Sequence, residues 1–196
     1  MSYQQKNNER GFTLVEFVIG LAISLILLGV TVSMLNVERK SYSFQEQVTE
    51  MQQNIRAATD MMVREIRMAG YDPSGAGFTG IGTHTTELLQ ILADLDGNGT
   101  TTGTYEDITY RYYNASDVTY PRQIWRNTGT ESQTLAENIE ALNFSYYDGD
   151  GIATSTASSI RQIQITITGR TANAIPDFGY DYATLTSRVT PVNLGY

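Results

Sequence analysis

R-G-F-T-L-V-E-F-V-I-G-L-A-I-S-L-I-L-L-G-V-T-V-S-M-L, residues 10–35, is the stretch on which the reading of this chain turns. A short polar leader ends at Gly11, and an almost wholly apolar run follows, interrupted by one carboxylate, Glu16. At about 1.5 Å per residue, the 24 residues from Phe12 to Leu35 make a helix long enough to cross a hydrocarbon core. A carboxylate is expensive in that medium, so an ionisable group there reads as functional by default.

The order of the parts excludes a conventional signal peptide. Such a peptide places cationic residues first, then an apolar stretch, then a small-residue cleavage site. Here the good junction, Arg10-Gly11-Phe12, precedes the apolar stretch, so cleavage would leave the helix on the mature chain. A plain membrane anchor would account for the length of the run but not for Glu16. A helix that later leaves the bilayer for a protein bundle has a use for the carboxylate, because it can be paired there.

G-F-T-L-V-E followed by about twenty apolar residues resembles the class III signal of type IV prepilins and type II secretion pseudopilins. The resemblance implies that Gly11 precedes the cut made by prepilin peptidase. It implies that Phe12 becomes the N-methylated first residue. It further implies that Glu16 pairs with the N-terminal amine of a neighbouring subunit and sets the register of assembly. The physics agrees, since opposite charges attract strongly at low dielectric and an unpaired one is penalised.

Of the 196 residues, about 160 remain beyond leader and anchor, enough for one domain with its own core. The formal charge is -8, and removing Lys6, Glu9 and Arg10 with the leader leaves 11 basic and 20 acidic residues, a net -9. Lysine is absent after Lys40, so no basic stripe exists to neutralise phosphates, and no nucleic-acid partner is expected. The absence of cysteine removes disulfides, thiol catalysis and cysteine-ligated metals. Arg39 and Lys40 flank the helix on one side and Lys6 and Arg10 on the other, so charge does not choose an orientation. The resemblance implies that the leader stays inside.

Beyond that flank Phe44, Val48, Met51, Ile55, Ala58, Met62 and Ile66 recur at spacings of three and four, one apolar stripe at helical period. Arg56–Asp60 and Asp60–Arg64 stand four apart on the polar face. Gly70 supplies a stop, so the helix is expected from Phe12 to Ala69, about 87 Å long. After a loop at Asp72-Pro73 the period changes to two. Ile108, Tyr110 and Tyr112 alternate with polar or exposed partners, as do Ile163, Ile165 and Ile167, and Leu88–Leu92, Arg122–Arg126, Leu142–Tyr147 and Leu185–Val192 are further strand candidates. One long helix followed by an antiparallel sheet is an α+β architecture.

The later segments R-A-A-T-D-M-M-V-R-E-I-R-M-A-G-Y at 56–71, L-A-E-N-I-E-A-L-N-F-S-Y-Y-D at 135–148, I-R-Q-I-Q-I-T-I-T-G-R at 160–170 and L-T-S-R-V at 185–189 are similar to minor pilins of the PilW type. The second of these is also similar to the J-type pseudopilin of type II secretion. The resemblance implies a type IV pilin-like lollipop. Its parts are a leader over 1–11, a transmembrane and filament-core helix over 12–40, and an amphipathic helix half with a β-sheet head over 41–196. It implies a minor pilin that primes or caps a type IV pilus. The partners implied are prepilin peptidase, the inner-membrane assembly platform, the major pilin, other minor pilins and, before assembly, lipid. The chain would sit in the bacterial inner membrane with its head in the periplasm, then in the pilus, at its tip. A type II secretion pseudopilin and a membrane-anchored adhesin or binding module are the alternatives.

Two acidic loops each support two readings. Asp94-Leu95-Asp96-Gly97-Asn98-Gly99 matches the opening of an EF-hand-like loop, but position twelve falls on Tyr105, with Glu106 one residue late. A calcium ion on Asp94, Asp96, Asn98 and Glu106 would replace the missing disulfide as a clamp; a tight turn is the other reading. Asp148-Gly149-Asp150-Gly151 carries the same pair of readings, with the turn preferred. No other cofactor is expected. The single histidine, His84, falls in a Gly/Thr-rich loop, and no nucleophile elbow, zinc helix or phosphate loop appears, so no enzyme is expected. The Tyr-rich stretch from 105 to Trp125 reads as sheet, with an exposed aromatic binding face as the alternative.

Overall fold

The computed structural model describes residues 11–174 and 179–195. Of the expected leader only Gly11 falls within them, so Lys6 and Arg10 lie outside the described residues. Helix α1 runs from Leu14 to Arg67. It starts two residues later than the apolar run because Thr13 caps it. The Thr13 hydroxyl accepts from Glu16 N–H at 3.3 Å, while a Glu16 carboxylate oxygen accepts from Thr13 N–H at 2.9 Å and from its hydroxyl at 2.7 Å. At the other end Met68 and Ala69 donate to carbonyls only three residues back, which tightens the last turn. Gly70 then takes φ +78° and donates to the Leu92 carbonyl at 2.8 Å.

The chain divides into two compact units, Met1–Gln45 and Glu46–Tyr196. Among its described residues the first unit is helix preceded by a short irregular segment, and everything from Gly11 to Ser43 is exposed. In the second unit, α1 buries Met51, Ile55, Ala58, Met62 and Ile66, the expected stripe without its first two members, and Thr59 beside them. Phe44 and Val48 are half-exposed.

Eight strands follow among the described residues. β1 (Ile81–His84), β2 (Leu88–Leu92), β3 (Asp107–Tyr113), β4 (Gln123–Asn127) and β5 (Ser132–Ala136) form one antiparallel sheet in sequence order. β6 (Ile139–Tyr147), β7 (Gln162–Arg170) and β8 (Tyr182–Val189) form a second antiparallel sheet. The helix followed by antiparallel sheets is the α+β class expected. The period-two residues face the core: Tyr110, Ile163, Ile165 and Ile167 are fully buried and cluster with Ile55, Met62 and Ile66. Where α1 crosses β7 the strand carries Gly169, because a Cβ there would stand 2.7 Å from the Ile55 side chain.

Three expectations need correction. β1 and β5 are strands that the alternation does not mark, and His84 ends β1 rather than lying in a loop. Arg56, Asp60 and Arg64 are exposed, and the two ion pairs found among the described residues lie elsewhere, at Arg126–Glu65 and Arg122–Glu140.

Candidate functional site

Three groups of chemically active side chains emerge, and the N-terminal one is built most simply. Gly11 and Phe12 precede the helix as irregular, exposed chain, with Phe12 88% accessible. Five residues into that segment Glu16 is the only charged group between Phe12 and Val37. The large apolar side chains around it, Leu14, Val15, Phe17 and Val18 among them, are all exposed. The most apolar window of α1 reaches a mean hydropathy of 2.5 and is wholly unburied, so this half of the helix requires a non-aqueous neighbour. Its hydroxyls are already satisfied within the helix: Ser24, Thr31 and Ser33 donate to the carbonyls of Gly20, Leu27 and Gly29 at 2.8–2.9 Å. Glu16 therefore stands out as the polar group with accepting capacity left over.

The second group is the acidic loop. Asp94, Asp96 and Glu106 each place a carboxylate oxygen within 4.8 Å of the others, as the sequence reading brought them together. Asp94 is fully buried and Glu106 nearly so. Backbone N–H groups cap them: Gly97 and Gly99 donate to Asp94 at 2.8 and 3.0 Å, and Leu95, Asp96 and Gly103 donate to Glu106 at 2.7–3.2 Å. Asn98 turns its carbonyl oxygen to Thr100 instead, 2.8 Å from the backbone N–H and 2.7 Å from the hydroxyl. Burial by itself would raise the Asp94 carboxyl, but hydrogen bonds from Ser74, Gly99, Gly97 and Asn98 outweigh it and hold the group below the usual carboxylate range. Asp72, in the loop packed alongside, is lowered mainly by the Gly77 N–H and also accepts from Ser74 and Ala76. An all-oxygen set suits a hard cation, and the lone pairs that the backbone leaves free are what such an ion would use.

The third group was not foreseen. Arg126, with 6% of its side chain exposed, makes a two-pronged contact with Glu65, 14% exposed, through Nη2 at 2.5 Å and Nε at 2.9 Å. Tyr110 donates its hydroxyl to the same carboxylate. Burial, then the Glu65 charge, pushes the Tyr110 hydroxyl well above its ordinary value, so it remains a donor. The Arg126 guanidinium is held charged chiefly by its hydrogen bonds to Glu65. The sequence does place Arg126 on the buried face of β4 with Ile124, which is the signal that an acid must lie opposite.

The remaining candidates take structural positions. Asp148 accepts from Asp150 and Ile152 N–H at 3.0 and 2.8 Å, the turn reading of that loop. Each His84 ring nitrogen faces a backbone carbonyl, Gly82 at 3.0 Å and Ser155 at 2.9 Å. Tyr113, Tyr120 and Trp125 tilt against one another at 50–85°, with centroids 4.1–6.4 Å apart, and so staple a loop rather than present a flat aromatic face. A groove of about 530 Å³ beside β5 is lined by amides, Glu50, Glu137 and Arg170, with Met51 and Leu135 among them.

A family model described as Prepilin peptidase-dependent protein B matches residues 44–189. A second, described as the Prokaryotic N-terminal methylation motif, matches residues 6–32. No curated protein matches the chain.

Proposed function

We propose that this chain, which belongs to the family of prepilin peptidase-dependent protein B, is a minor pilin that primes or caps a type IV pilus. The observation that carries the reading is the exposed Gly11–Phe12 junction set just ahead of an unburied apolar helix with one carboxylate. In this reading prepilin peptidase cuts after Gly11 and Phe12 becomes the methylated N-terminus. The helix holds the protein in the inner membrane, with its head in the periplasm, until the assembly platform moves it into a filament with major and minor pilins. There Glu16 meets the amine of a neighbour, and apolar helix surface passes from lipid to protein. The work is assembly, not catalysis.

The test is the intact mass and N-terminal sequence of the protein from cells with and without prepilin peptidase. A chain beginning at methylated Phe12 only when the peptidase is present is the expected result. A chain that begins at Met1 in both backgrounds overturns the reading.

A calcium ion on Asp94, Asp96 and Glu106, without Asn98, belongs to the same proposal, as the clamp on a head without disulfides. Three carboxylates so close repel one another, and a divalent cation would relieve that repulsion where N–H donors do so only in part. Calcium, and not magnesium, should raise the thermal midpoint of the detergent-solubilised chain. An unchanged midpoint removes the ion from the proposal.

A further inference from the structure

The groove of about 530 Å³ lies between α1 and β5, the last strand of the five-stranded sheet. Two hydrogen bonds from the helix frame it. Asn54 donates its amide to the Glu137 carbonyl at 2.8 Å, and the Gln47 amide oxygen accepts from the Asn173 N–H at 2.9 Å. Met51 on the helix and Leu135 on the strand add apolar contact. A volume of this size suits a short segment or a small molecule, not a whole domain.

The β5 side of the groove has backbone groups to offer. The Thr128 N–H donates to the Glu131 carbonyl at 2.9 Å and closes the β4–β5 hairpin; beyond it Arg126 stands opposite Gln133 and Trp125 opposite Thr134. Bonded and non-bonded pairs alternate along an antiparallel ladder. Gln133 therefore spends its N–H and C=O on β4, while Ser132 and Thr134 turn theirs to the open side. Among the described residues no backbone hydrogen bond outside the ladder involves Ser132–Ala136. Nor does β5 carry a charged residue, the usual guard on such an edge.

Where β5 gives way to the bend at Glu137 and Asn138, the groove is lined by Arg170, whose backbone N–H donates to the Asn138 carbonyl at 2.9 Å. The Arg170 guanidinium stacks 4.0 Å from the centre of the Tyr180 ring. Its Nε is buried and has no hydrogen-bond partner among the described residues. A buried cationic donor left unpaired is costly, and a planar carboxylate is the acceptor that fits a guanidinium edge. Glu50 and Glu137 line the same groove, yet neither pairs with it; the two ion pairs among the described residues lie at Arg126 and Arg122.

These two features select one occupant. Free N–H and C=O groups on a strand edge are met by another extended backbone, and the unpaired Nε by a carboxylate. A polyanion would need clustered cations, whereas this groove holds one cation and two carboxylates. We propose that the groove takes up a short extended peptide with an acidic side chain, which adds a strand to β5 and sets its carboxylate on Arg170. The inference is independent of the assembly role.

The test uses the full chain in detergent micelles and fluorescein-labelled hexapeptides of alternating threonine and valine, with one aspartate moved through every position. The same set with asparagine for aspartate is the comparison. At least one aspartate peptide should bind with a Kd below about 1 mM by fluorescence anisotropy, and about tenfold or more tighter than its asparagine counterpart. Arg170→Gln should erase that difference. Thr134→Pro removes the outward N–H from an edge strand, where proline is tolerated, and should abolish binding while Thr134→Val keeps it. On the wild-type chain, bound peptide should slow amide hydrogen exchange at Ser132 and Thr134, a readout that no variant's folding can disturb. No binding by any aspartate peptide overturns the proposal, as does equal binding of the asparagine set or unchanged exchange at Ser132 and Thr134. Displacement of the peptide by glutarate at equal concentration would assign the groove to a small acid and overturn the added strand.

Discussion

Glu65 is the residue on which the helix and the five-stranded sheet converge electrostatically, since Arg126 and Tyr110 both direct hydrogen-bond donors at its carboxylate. Removing one partner of a buried pair leaves the other charge stranded, at a cost of about 3–5 kcal/mol. Glu65→Ala should therefore lower the denaturation midpoint far more than Glu140→Ala. The Arg122–Glu140 pair is 25% and 37% exposed and should contribute less than about 1 kcal/mol. Equal effects in urea titrations of the two variants would refute the distinction. Acid acts on other residues. The carboxyls of Asp72 and Asp94 are held below their unfolded value of about 3.9, so their contribution is complete above that pH and is lost as pH falls through the lower folded values. The thermal midpoint should drop between pH 5 and pH 3, and Asp72→Asn with Asp94→Asn should flatten that drop; a wild-type midpoint that does not fall would contradict this. At this scale the sequence was half legible. Alternation puts Arg126 on a buried face, but its partner lies 61 residues away on a helix, and no local pattern carries that pairing.

Helix α1 and the long strands declared themselves because each buries one face at a regular period, and burial of that face is what holds them. β1 and β5 did not. β1 has four residues, one of them Gly82, and is held by a side chain, Gln90, whose carbonyl accepts from Thr83 N–H at 3.1 Å. β5 is an edge strand whose first three residues, Ser132, Gln133 and Thr134, are exposed, so nothing forces it to alternate. Both are strands by virtue of neighbours already in place, a tertiary cause invisible to a sequence window. The crossing of α1 over β7 gives the sharper test of packing at this scale. A side chain at position 169 must displace Ile55 and Met51 from a filled core. Gly169→Val should cost about 1–3 kcal/mol of stability by overpacking, whereas Gly149→Val, in an open turn, should cost little. A Gly169→Val protein as stable as wild type would mean that the helix is free to shift on the sheet.

At the scale of the whole molecule, the proposed role requires one chain to be stable in two surroundings, lipid before assembly and other protein chains after it. The described residues show how the apolar half of α1 meets the first demand: no charge but Glu16, and three hydroxyls turned back onto the helix. They show also that Glu16 is not stranded while it waits, because Thr13 caps its carboxylate with two donors. Glu16 was legible from composition alone, since a single acid in an apolar run has few explanations, but the Thr13 cap needed the geometry. If the acid served only to start the helix, Glu16→Gln would keep much of that cap and assemble normally. If it is held for the amine of a neighbour, the amide loses the charge that makes the pairing worthwhile in a low-dielectric bundle. The expected outcome is that Glu16→Gln is inserted and processed like wild type, as judged by membrane fractionation and N-terminal sequencing, yet is depleted at least about tenfold from sheared filaments, a difference of about 1.4 kcal/mol. Incorporation equal to wild type would leave Glu16 as a helix cap and would require another group to set the register between subunits.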